Sequence, residues 1–219
     1  MVRIFIAYSS KDLVFKEEIR KRLRPLQRAG KVEIWDNYNI EAGKEWDVEV
    51  REKLEQSDII LLLLSPDALD SDYFYDVEAP IALRRHEAGE AIAVGILLRP
   101  CSFRHTPFEF GKYEMLPKKG YPVTDRRWRT FDDAYLSIFE EVDILVEKIE
   151  RLRNNRKMES ERLEMAKHEE VEAERKKAGA NFSAVQFAEL PQGNLFYRLF
   201  PRPEYPNTSF VIDGRNGTP

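Results

Sequence analysis

The chain has 219 residues, 34% of them charged, yet its formal net charge is only -4. That length gives room for one ordinary domain plus an appendage, with a core that needs no staples. The near balance of charge argues against a dedicated nucleic-acid surface, so no direct nucleic-acid partner is expected. A single cysteine, Cys101, excludes an internal disulfide framework and any multi-cysteine metal site; a half-buried thiol after a strand is expected there.

Met1-Val2-Arg3 leads straight into a strand-like run with no charged head and h-region, so no signal peptide is read and a cytoplasmic location is expected. The Asn-x-Ser/Thr patterns at Asn181, Asn207 and Asn216 are then chance matches. The apolar run at residues 59–64 is too short to span a bilayer, and no membrane association is expected.

Residues 2–7 form a β-rich run, followed by Tyr8-Ser9-Ser10-Lys11-Asp12, where Ser10 or Asp12 caps a helix. Phe15, Ile19, Leu23 and Leu26 recur at helical spacing, and Gly30 ends that helix. A second strand is predicted at 31–35, then a polar loop at 36–45, then a helix with Trp46, Val50 and Leu54 facing inward. The unbroken apolar run at 59–64 reads as a central strand buried on both faces. Beyond Ser65-Pro66 and an Asp-rich loop come Tyr73, Phe74, Tyr75 and then Glu78. A helix carrying Ile81 and Leu83 ends at Gly89, and a fourth strand is predicted at 92–98. Pro122-Val123 is the expected edge strand. From Phe131 onward, Ile138, Val142, Leu145, Ile149 and Leu152 line one helical face. Strands alternating with helices predict a doubly wound, flavodoxin-like α/β fold with a parallel sheet.

At Arg151 the composition changes to mixed charge with few apolar residues, which predicts a solvated extension of the last helix held by i,i+4 charge pairs. After Gly179 the chain becomes aromatic and Pro-rich, with Phe182, Phe187, Phe196, Tyr197, Phe200, Tyr205 and Phe210. Such a segment is too short for its own core. It is either a tail folded back on the α/β domain or a docking segment for another protein. The expected organisation is therefore a domain at 1–150, a charged spacer helix at 151–179 and an aromatic tail at 180–219.

In a sheet of order 2-1-3-4-5, ligands bind at the carboxyl ends of the strands between strands one and three. That rule brings the loop at 8–12 beside the loop at 65–78, with the 36–46 loop at the rim. The cleft would hold Tyr8, Ser9, Ser10, Trp46, Tyr73, Phe74 and the carboxylate of Glu78. No G-x-G-x-x-G follows the first strand and no P-loop is present. Tyr8-Ser9-Ser10 and Ser65-Pro66 stand where a phosphoacceptor receiver carries acids. His86, His105 and His168 lack metal-ligand spacing, so no metal is expected.

Aromatics around one carboxylate suit a reaction through a glycosyl cation. Cleaving a nicotinamide riboside bond puts positive charge on the ribose, which a carboxylate stabilises. An aromatic face can hold the cationic nicotinamide ring. The competing reading makes Glu78 an acid in a helix's first turn, favoured by the dipole, and Trp35 and Trp46 packing residues.

The residues 3 to about 152 resemble a bacterial TIR (Toll/interleukin-1 receptor) domain, through IFIAYSSKD, WDNYNIEAGKEW, SDIILLLLSPDALDSDYFYDVE and HEAGEAIAVGILLRPCSF, in that order. The resemblance implies a five-stranded parallel sheet. In many bacterial and plant members it also implies hydrolysis of NAD+ to nicotinamide and ADP-ribose, sometimes cyclised, with NAD+ as substrate and no cofactor. It carries the essential glutamate onto Glu78 and the nucleotide-binding edges onto Tyr8, Ser9, Ser10, Asp36, Trp46, Ser65, Tyr73 and Phe74. Enzymes of this kind are switched on by homotypic assembly, by a filament or by a sensor protein, here one docked by residues 180–219. Bacterial anti-phage defence is the expected setting. Other members only assemble with further TIR domains, which gives the rival expectation of a non-catalytic adaptor module. Pro80 sits uneasily two residues after Glu78: either the helix begins near Asp76 or Val77, or it kinks at Glu78.

Overall fold

The computed structural model describes residues 1–36, 46–102, 106 and 114–182, with side chains of the last helix to residue 176. The chain divides into two units, Met1–Arg162 and Leu163–Pro219. The first contains a parallel sheet of five strands in the order β2-β1-β3-β4-β5. These are β1 (Val2–Ala7), β2 (Val32–Asp36), β3 (Ile59–Leu64), β4 (Ile92–Leu97) and β5 (Glu114–Leu116). In register, Ile6 lies between Asp36 of β2 and Leu61 of β3, and Leu61 pairs with Val94 of β4.

Each face of the sheet carries its own core, as period-2 alternation requires. Ile59, Leu61 and Leu63 point to one side with Ile4, Ile6 and Val94, under α1 (Leu13–Arg28) and the start of α5 (Phe131–Phe182). Ile60, Leu62 and Leu64 point to the other with Phe5 and Ala93, under α2 (Trp46–Gln56), α3 (Pro66–Leu69) and α4 (Ala79–Glu87). All six residues of β3 are buried, which is why its sequence is an unbroken apolar run. Gly30 and Gly89, just past α1 and α4, take φ of 68° and 70°, the left-handed conformation that ends a helix cheaply only at glycine.

Two expectations are corrected. The edge strand is Glu114–Leu116, paired with Val94–Ile96, and not Pro122-Val123. Val123 and Thr124 donate backbone hydrogen bonds to the carbonyls of Leu97 and Leu98, at 2.9 and 3.1 Å, so that segment crosses the end of β4 without joining its ladder. The apolar stripe of α5 ends at Ile149: Leu152 is 49% exposed. From Arg151 to Lys176 the helix is exposed throughout, with i,i+4 pairs such as Arg151 to Glu147 at 3.3 Å. Thr130 and Asp133 cap its N-terminus reciprocally, Asp133 N–H on Thr130 Oγ1 at 3.2 Å and Thr130 N–H on Asp133 Oδ2 at 2.9 Å.

Among the described residues no helix is long and apolar enough to cross a membrane.

Candidate functional site

Glu78 closes a π-helical turn, Phe74–Glu78, that runs directly into α4. The Ala79 N–H reaches back five residues to the Phe74 carbonyl. Pro80 explains the register. It has no N–H, and in an α-helix its ring would meet the carbonyl four residues earlier; the wider turn ahead of it relieves that clash. Backbone angles at Tyr73, Glu78 and Ala79 are all helical, so the segment begins before Asp76 and passes through Glu78 without a break. The Glu78 side chain ends up buried, at 1% exposure.

Five residues earlier, Tyr73 is half-buried and its hydroxyl donates to Asp47 Oδ1 at 2.9 Å. Asp47 is gripped by Arg51, whose Nε donates to both carboxylate oxygens at 3.0 and 2.9 Å. Burial, then the Asp47 carboxylate, with a smaller contribution from Glu78, push the Tyr73 phenol far above its usual range, so it stays a neutral donor. The Trp46 ring lies 4.3 Å from that of Tyr73, tilted by 49°. Trp46 is 42% exposed and therefore does not share the inward face of α2 that Val50 and Leu54 bury. Phe74, at 1% exposure, belongs to the core on this side of the sheet.

At the carboxyl ends of β1, β3 and β4 stands a network that holds the strand ends together. Asp12, fully buried, accepts from Ser65 Oγ and from Arg99 Nη2, the latter at 2.8 Å. Arg99 also binds Asp67, which pairs with Lys11 at 3.1 Å; the two cations hold the Asp67 carboxyl below the usual carboxylate range. Ser65 additionally accepts the Ala68 N–H at 3.0 Å and so caps α3. Ser9 is buried beside this network and Ser10 is exposed. Ser65→Ala removes a donor from a buried carboxylate and a cap from α3 together, and is expected to cost about 1–3 kcal/mol in urea unfolding.

Asp36 occupies the end of β2, its side chain fully buried between Lys16 Nζ, at 3.3 Å, and Arg20 of α1. Lys16 is itself 1% exposed and lies 5.0 Å from the Tyr8 ring centroid. Burial opposes its charge, but the Glu17 and Asp36 carboxylates outweigh that and hold its pKa above the usual lysine range. Tyr8 and Asp36 are thus fastened to α1 at the ends of β1 and β2, while Trp46 and Tyr73 meet each other and Tyr73 directly precedes the turn that Glu78 closes. Residues 37–45, expected at the rim, lie outside the described residues, as do 183–219. Among the described residues no cluster of three His, Cys, Asp or Glu is arranged to hold a metal. The Cys101 thiol is half-buried, and burial pushes its pKa up.

The sequence reading missed Asp12, Arg99, Lys16, Asp47 and Arg51 as site-building residues. The i,i+4 spacing of Asp47 and Arg51 was the visible signal for one pair. For the strand-end network it was Ser65 and Arg99, polar residues just past two apolar strands, with Asp12 in the loop after a third.

A family model described as TIR domain matches residues 4–135. The uncharacterized protein y4lF of Sinorhizobium fredii (strain NBRC 101917 / NGR234) is 38% identical over 142 residues, 65% of this chain and 43% of that protein. This chain therefore corresponds to less than half the length of that relative. Among solved structures, the TIR domain of the Toll-related receptor TRR-2 from Hydra magnipapillata aligns with a TM-score of 0.40 and 22% identity, over 53% of this chain and 85% of that one. The TIR domains of the activated Roq1 resistosome, recognising the effector XopQ, align at 0.38 and 17%, over 46% and 60%. Since the family model takes in more than half of the chain, and with it most of β1, all of β2 to β5 and the turn that carries Glu78, the chain belongs to the TIR domain family.

Proposed function

We propose that the chain is an NAD+ glycohydrolase active only when assembled, with Glu78 as its catalytic carboxylate. One observation carries this reading: a buried carboxylate closes the π-turn that follows Tyr73, the residue paired with Trp46. In the reaction the bond between ribose C1′ and the nicotinamide nitrogen breaks, and its electron pair leaves with neutral nicotinamide. Glu78 stabilises the positive charge left on the ribose. Water then adds at C1′ and releases a proton, giving ADP-ribose; attack by a group of the same nucleotide gives a cyclic product instead. Trp46 and Tyr73 are the faces offered to the cationic ring. NAD+ is the substrate, and no cofactor or metal enters the scheme.

A carboxylate at 1% exposure cannot meet a ribose until its surroundings shift. Contact with further copies of the domain, or with a sensor protein bound at 180–219, supplies that shift. Such an effector, depleting NAD+ in the bacterial cytoplasm, suits anti-phage defence. The test is NAD+ consumption by the purified chain as its concentration is raised or it is crowded. Loss that rises more steeply than protein concentration supports the reading; no loss in any assembly state removes it.

A second reading, a non-catalytic adaptor, is favoured by one observation. Met158, Leu163, Met165 and Val171 stand exposed on α5, as on a helix awaiting a partner. It requires partner binding that is indifferent to Glu78→Gln.

A further inference from the structure

We infer that Asp47 and Arg51 are positioning residues that hold Tyr73 and Trp46 as a preformed platform for a flat, positively charged ring. The inference rests on the proposed NAD+ reading and names what that reading lacks, the device that fixes the aromatic pair. Tyr73 rotates about two side-chain torsions, and an unanchored phenol at the surface would sample several orientations. Here its hydroxyl is fixed at 2.9 Å on Asp47 Oδ1. Asp47 is in turn fixed by Arg51 one helical turn along α2. The neighbouring residue on α2 is Trp46, whose ring meets that of Tyr73 at 4.3 Å.

One short stretch of α2 therefore supports both rings. It ties them to the segment that carries Glu78, within reach of the electrostatic influence of Glu78 on Tyr73. Charge fits the same ligand: Arg51 offsets Asp47, and Glu78 with the exposed Asp72 and Asp76 leave the neighbourhood biased toward a cation, beside an indole that is 42% exposed. Preorganising a ring pair removes ordering cost from binding, so the device acts on affinity rather than on the bond-breaking step.

The test uses the full chain and NAD+ as the probe. Kd is read by titration calorimetry in the Glu78→Gln background, where substrate survives, and KM and kcat are read in the assembled chain with Glu78 intact. Asp47→Ala is expected to raise Kd and KM about five- to tenfold, the worth of one hydrogen bond to a charged group at a half-exposed site, with kcat within about twofold. Asp47→Asn keeps the acceptor oxygen and restores binding to within about twofold. Tyr73→Phe reproduces the Asp47→Ala rise in Kd, and the double variant is no worse than either single one.

Unchanged Kd in Asp47→Ala, equal damage from Asn and Ala, or additive losses in the double variant would each overturn the inference. A chain that binds NAD+ with this pattern but never consumes it leaves the platform standing and removes the glycohydrolase reading. A chain that consumes NAD+ with Kd indifferent to Asp47 does the reverse. Failure to bind NAD+ in any assembly state removes both.

Discussion

Glu78→Gln is expected to lower NAD+ turnover by about 100- to 1,000-fold, the usual loss when one preorganised electrostatic group is taken from a developing charge. Glutamine keeps the size and the acceptor oxygen of the side chain and removes its charge, so the change falls on the step in which the ribose becomes positive. The side chain is 1% exposed, and an isosteric replacement leaves the packing around the π-turn intact. Melting temperature and assembly are therefore expected to stay near those of the unaltered chain while kcat falls and the Kd for NAD+ moves little. Glu78→Ala is a poorer test, because it also opens a cavity. Turnover that survived Glu78→Gln in the assembled state would transfer the chemistry to another group. A parallel loss of melting temperature would instead mark Glu78 as an acid stabilising the start of the helix through the dipole, the competing reading of the sequence.

The largest expected effect on stability is at Asp36. Asp36→Ala is expected to cost about 3–5 kcal/mol, because it takes from the buried Lys16 ammonium its one counter-charge on β2, which also binds Arg20. Glu17, at 2.6 Å from Lys16 Nζ, softens this, since its side chain is 56% exposed and can follow the ammonium. Urea unfolding reads the loss. Replacing both partners, Asp36→Ala with Lys16→Met, is expected to recover much of it, because no buried charge then remains.

The same residues predict a pH dependence. The pKa of Lys16 is raised above the ordinary lysine value, and burial raises that of Tyr8 above the ordinary phenol value. The unfolded chain therefore gives up these protons first as pH rises. The contribution of both groups is fully present below about pH 10, the range of the unfolded values, and is lost as pH climbs through the folded ones. Melting temperature followed from pH 8 to 11 should fall at the alkaline end, and less so in Lys16→Met.

The sheet was legible because burial on both faces writes itself into β3 as six consecutive apolar residues, and because Gly30 and Gly89 mark helix ends. β5 was not. Three residues, Glu114, Met115 and Leu116, are too few to show alternation, whereas at Pro122-Val123 a proline tolerated only at a sheet edge beside a β-branched residue suggested an edge strand, and the segment only skirts the end of one. The buried charges were hidden for a different reason. Lys16 continues the spacing of Ile19, Leu23 and Leu26 on α1, but a lysine on an apolar face is naturally assigned to solvent until its carboxylate partner, twenty residues away, is placed beside it.

Around Glu78 the aromatic cluster announced itself, yet its division of labour did not. Phe74 goes to the core and Tyr73 to Asp47, a distinction that depends on the register of the turn and not on composition. Pro80 posed a choice between a late helix start and a kink. The π-turn is a third solution, in which helical angles run through without either, and no periodicity rule for a regular helix contains it.

That turn has a consequence for how the domain can diverge. It holds one residue more than an α-helix needs over the same rise, so loss of a single codon between Tyr73 and Glu78 would restore the tighter register. Glu78 would keep nearly the same direction relative to the residues before the deletion, since the widened turn absorbs its extra residue locally. Neither the strands nor the two cores would have to change. Pro80 guards against this, because in the tighter register its ring meets a carbonyl. Loss of the extra residue and loss of the proline are therefore coupled steps. Together they would turn the widened segment into a regular helix while the scaffold around it stays as it is.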